Sequence, residues 1–121
     1  MANFPYSFFF LENCDTYPER LWLPTSANAN VVVGSTKFRS RGRLPALTYF
    51  YRPTGAVICR CAQPLTGFSA RNVEDEKLME LIGKASGTGE VLYMIDTRPK
   101  VRKTKLTFIH SMNFFLLKSR K

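Results

Sequence analysis

Histidine is nearly absent from this sequence: among 121 residues there is one, His110. Neither a histidine-based metal site nor a Ser-His-Asp triad can be assembled from the body of such a chain. Cysteine is also scarce. Cys14, Cys59 and Cys61 cannot all pair with one another, and no secretory leader precedes them, so the expected setting is reduced and cytoplasmic. Cys59 and Cys61 are one residue apart and share a strand face, where they read as buried small side chains rather than ligands. Long hydrophobic runs are missing as well. Phe4–Leu11 has no basic leader and no small-residue cleavage site, and Phe108–Leu117 is about half of the roughly twenty residues a spanning helix needs. Acidic residues are absent from Lys100–Lys121, which holds seven basic ones, whereas residues 1–99 carry eleven basic side chains against nine acidic. The net charge of +9 therefore belongs to the tail and does not mark a folded nucleic-acid surface.

What is present suits one domain. Apolar residues make up 45% and charged ones 22%, values that permit a core and exclude a disordered chain. Leu21–Pro24 reads as an edge strand stopped by proline. Val31–Val33 is β-branched and reads as a second strand, broken by Gly34. Lys37–Arg43 reads as a basic loop with a glycine hinge. Leu44–Arg52 and Ala56–Cys61, joined by Pro53-Thr54-Gly55, form an antiparallel hairpin. From Val73 to Ala85 the apolar Leu78, Leu81, Ile82 and Ala85 recur at helical spacing, with Asn72 as cap and three acids in the first turn. Val91–Ile95 is a continuous apolar run, expected to be a strand covered on both faces. Strand, helix and strand over 56–95 make one βαβ crossover, so the fold class is α/β, a partial mixed sheet with a hairpin and one crossover.

One spacing carries chemistry on its face: Cys14 to Arg20 is Cys-x5-Arg, the arrangement by which a thiolate and a phosphate-binding arginine are joined. A working loop needs backbone amides wrapped around phosphate at a helix amino terminus. Pro18 has no amide to offer, no glycine relaxes the loop, and no helical pattern follows Arg20, so the spacing reads as structural. Arg39, Arg41 and Arg43 are expected to pair with carboxylates such as Asp96 and the Glu74–Glu76 cluster, the alternative being a phosphate approach in a complete domain. No catalytic, cofactor-binding or metal-binding residue is assigned, and no cofactor is called for. Residues 100–121 could instead adsorb to anionic membrane, or less favourably to nucleic acid, as a non-catalytic module.

The strings CDTYP at 14–18, GSTKFRSRGRLPAL at 34–47, RCAQPLTG at 60–67, EDEKL at 74–78 and IDTRP at 95–99, in this order and spacing, resemble the amino-terminal part of the myotubularin phosphatase domain. The resemblance implies an incomplete cysteine-phosphatase-type domain at 14–99, between a non-matching aromatic leader at 1–13 and a non-matching basic tail at 100–121. It implies a parent enzyme that removes the 3-phosphate of phosphatidylinositol 3-phosphate and the 3,5-bisphosphate. Phosphoinositide membranes and other myotubularins are the implied partners, and a cytoplasmic location, peripheral at endosomal membranes, is the implied setting. The family's catalytic loop, C-S-D-G-W-D-R, has no match here, since Cys14 falls in the CDTYP string. This chain alone is thus expected to be inactive.

Overall fold

The computed structural model describes residues 4–12, 14–65, 71–86, 92–97 and, as backbone, 113–117. Strand β1 (Tyr6–Phe10) pairs antiparallel with β2 (Arg20–Pro24), Phe8 opposite Trp22. Helix α1 (Ala29–Phe38) follows, then a single 3₁₀ turn over Ser40–Gly42. Strands β3 (Ala46–Tyr51) and β4 (Ala56–Ala62) form an antiparallel hairpin with a bulge between Leu47 and Tyr49. Helix α2 (Val73–Ala85), β5 (Tyr93–Asp96) and β6 (Asn113–Leu117) complete the described chain. The second sheet has the order β3-β4-β6-β5. Among the described residues the chain is α/β, with two small antiparallel sheets and two α-helices.

Local chemistry accounts for much of this. Asn72 Oδ1 accepts the amide of Asp75 at 2.7 Å, capping α2, and Glu74, Asp75 and Glu76 occupy the first turn where the unpaired amides favour negative charge. The face carrying Leu78, Leu81 and Ile82 is buried, and Leu78 and Ile82 each contribute about 1.5–3 kcal/mol through removal from water. They meet Leu23, Leu44, Val57 and Cys59 in one core. The β3–β4 turn is closed by the Gly55 amide on the Tyr51 carbonyl, at a positive φ that glycine adopts without strain.

Four sequence expectations are corrected. Val31–Val33 is helical: Asn28 Oδ1 accepts the Val31 amide at 2.9 Å and starts α1, and burial of Val31 and Val32 outweighs the β preference of branched side chains. Gly34, expected to break a strand, lies where α1 approaches α2, and a Cβ there would overlap Glu74 Cβ and sit 2.5 Å from its Cγ. Lys37 and Phe38 close the helix instead of opening a loop, and the hinge is the pair Arg41 and Gly42, both at positive φ. The apolar strand near 91–95 is not covered on both faces, because Tyr93, Met94 and Ile95 remain exposed among the described residues. The crossover through α2 does leave β4 and β5 pointing the same way, with β6 between them and antiparallel to each. The terminal segment expected outside the core thus supplies a central strand, while His110 lies outside the described residues. No described helix is long and apolar enough to cross a membrane.

Candidate functional site

The three chemically suggestive segments of the sequence meet at one place, where the loop before β2, the turn after α1 and strand β4 come together. Cys14 is buried, and its thiol donates to the Arg41 carbonyl at 3.3 Å, with Thr16 Oγ1 at 3.5 Å. Arg43 Nε donates to Thr16 Oγ1 at 2.8 Å. Tyr17 Oη lies 3.1 Å from the Leu44 carbonyl and 3.2 Å from that of Arg60, so its one proton is shared between the segment leading into β3 and strand β4. Residues 14, 16 and 17 are thereby laced to residues 41, 43 and 44 in parallel order.

A second lacing runs on the buried side. Arg39 donates Nε to Asp75 Oδ1 at 2.8 Å and Nη2 to Oδ2 at 2.6 Å, a bidentate pair with both side chains about 5% exposed. Ser35 Oγ donates to the same Oδ1 at 2.7 Å, and Arg39 Nη1 reaches the Ala62 carbonyl at 3.1 Å and Cys61 Sγ at 3.6 Å. Burial would lower the Arg39 pKa, but the hydrogen bonds that Arg39 donates to Asp75, with the charges around it, outweigh it and hold the guanidinium above its ordinary value. A charge sunk this deep is tolerated because every face of it meets an acceptor.

The remaining candidates fall on either side of these contacts. Cys59 and Cys61 lie on one face of β4, buried and in no disulfide, and burial raises their thiols to about 12 and about 11. Of the three arginines, Arg39 pairs within the expected acidic cluster, through Asp75; Arg43 binds a hydroxyl; Arg41 is exposed. Cys14 and Arg20 do not form a phosphate loop: Arg20 begins strand β2, where such a loop would lead into a helix, and its guanidinium carbon lies 5.3 Å from the Phe10 ring centre. A cleft of about 750 Å³ does open beside Cys14, but Glu12, Asp15 and Glu19 line it, a charge unsuited to phosphate. Among the described residues no cluster of His, Cys, Asp and Glu could hold a metal ion. Ser35, Thr16 and Tyr17 are contributors that spacing does not reveal. Tyr17 is singled out only in three dimensions, where its hydroxyl reaches the carbonyls of Leu44 and Arg60.

A mixed α/β unit with two small antiparallel sheets and two helices among its described residues is consistent with part of a phosphatase domain. A family model described as the myotubularin-like phosphatase domain matches residues 9–110, and the chain belongs to that family. Curated relatives include the phosphatidylinositol-3,5-bisphosphate 3-phosphatase MTMR6 of Caenorhabditis elegans, 67% identical over 88 residues, which are 73% of this chain and 13% of that protein. The MTMR6 of Rattus norvegicus is 54% identical over 89 residues, 74% of this chain and 14% of the relative. The phosphatidylinositol-3-phosphate phosphatase MTMR7 of Homo sapiens is 52% identical over 88 residues, again 73% and 13%. The chain therefore spans only about one-eighth of the length of these relatives.

Proposed function

We propose that this chain is a framework segment of a phosphoinositide 3-phosphatase domain, acting with the rest of such an enzyme on the 3-phosphate of phosphatidylinositol 3-phosphate and the 3,5-bisphosphate, and that it contributes no nucleophile of its own. The observation that carries the reading is the 67% identity over 88 residues to a 3-phosphatase, within a chain whose family match at residues 9–110 takes in the laced segments. The geometry agrees with a supporting role, since the Cys14 thiol donates a hydrogen bond to a backbone carbonyl and Arg20 packs on an aromatic ring. In this reading the domain works at a cytoplasmic membrane surface, where its lipid substrates reside, endosomal membranes among them, and other family members are its natural associates. Exchanging the matched 88 residues into the C. elegans relative tests it: activity on phosphatidylinositol 3,5-bisphosphate should stay within about threefold of the parent, because framework changes leave transition-state contacts in place. A soluble, folded chimaera without turnover would overturn the assignment.

A further inference from the structure

Strand β6 is the one described element wholly outside residues 9–110, yet it sits inside the second sheet. Its neighbours β4 and β5 belong to the matched part, and both run antiparallel to it. The register levels Ile58, Leu117 and Tyr93, then Cys59, Leu116 and Met94, then Arg60, Phe115 and Ile95 across the three strands. Adjacent strands are about 4.8 Å apart, so β4 and β5 stand about 10 Å from one another, too far for a direct hydrogen bond. Among the described residues β5 bonds to no strand but β6, and only Leu92, just before it, packs on the core. An element inside the family-matched segment thus depends on one outside it.

We propose that β4 and β5 form a strand-accepting cleft, and that residues 113–117 of the same chain are its tethered, exchangeable occupant. The facing edges of β4 and β5 present amides and carbonyls that must be paired, and only an extended segment running against both directions fills them. Its main chain supplies the affinity, as in recognition by strand addition. The sequence Asn113-Phe114-Phe115-Leu116-Leu117 suits such a site, being rich in aromatic and aliphatic residues without glycine or proline. An apolar peptide of the same length and direction on another chain would compete for the cleft.

The test uses the full chain carrying Phe115→Pro, which removes an amide from a central strand. Hydrogen exchange should accelerate at least about 100-fold in β4 and β5 while α2 keeps its protection. A peptide of sequence SMNFFLLKS, added in excess, should restore slow exchange in both strands. Unchanged protection of β5 in the variant, or no restoration by the peptide while α2 stays protected, would overturn the proposal. If the variant also loses protection in α2, an intact chain carrying Ile95→Cys and Phe115→Cys decides: a short bismaleimide should bridge the two positions, and failure to bridge them would overturn it.

Discussion

Arg39 and the Asp75 it pairs with tie together three pieces of chain, since α1 contributes Ser35, β4 the Ala62 carbonyl and Cys61, and α2 Asp75. Removing one partner strands the other charge in the core. Arg39→Ala or Asp75→Ala should each cost about 3–5 kcal/mol, while the paired replacement Arg39→Met with Asp75→Leu should cost clearly less, because no unpaired charge remains. Urea unfolding of the three variants checks this, and equal losses would show that the ion pair is not the determining contact. The thiols supply a second residue-scale expectation. Burial first, with repulsion between the two, raises Cys59 from 9.0 to about 12, and burial raises Cys61 to about 11. Tyr6 and Tyr17 are raised as well, chiefly by burial. A raised folded-state pKa means that these groups stabilise the fold in full below pH 9, and that their contribution disappears as pH climbs from 9 toward 12. The urea midpoint should therefore be flat from pH 7 to about 8.5 and fall above pH 9, and Cys59→Ala should flatten part of that fall.

At the scale of elements, the sequence was a good guide wherever a local signal and the tertiary packing agreed. Asn72, the acidic first turn and the spacing of Leu78, Leu81 and Ile82 define α2 within its observed bounds. The β3–β4 hairpin follows from its Pro-Thr-Gly turn. Helix α1 was illegible because its valines favour strand, and the forces that override them, an Asn28 cap and a seat against α2, involve residues up to about forty positions away. The site shows the same divide. The acidic cluster that receives Arg39 was readable as a class from charge, but the choice of Asp75 depends on which face of α2 turns inward, and the lacing by Thr16 and Tyr17 depends on loop geometry with no periodicity to betray it. Gly34 gives a direct test of the helix contact. On an isolated helix Gly→Ala is worth about 1 kcal/mol of stability, yet here the added methyl meets the Cβ of Glu74, which cannot rotate away. Gly34→Ala should therefore destabilise by about 1–3 kcal/mol, the range of an overpacked contact. Thermal denaturation would reveal it, and a raised melting temperature would mean that the helices can part without loss.

For the whole molecule, apolar exposure matters more than charge. Phe8, Phe10, Met94 and Ile95 are each about half exposed or more. The isolated chain should bind a hydrophobic dye and self-associate with rising concentration, because contiguous exposed patches of this kind seek partners. A dye-silent monomer with a sharp thermal transition would contradict that. The same preparation should release no phosphate from phosphatidylinositol 3-phosphate, and turnover abolished by Cys14→Ser would refute the supporting role assigned to Cys14. The seat of α1 against α2 also has a consequence in time. Val31–Val33 leaves the ribosome about 40 residues ahead of the start of α2. At about 5–20 residues per second, this strand-prone stretch waits roughly 2–8 s for the surface that makes it helical. Over that interval its own preference is unopposed, so slower translation between codons 34 and 73 should lower the yield of soluble protein, and a faster passage should raise it.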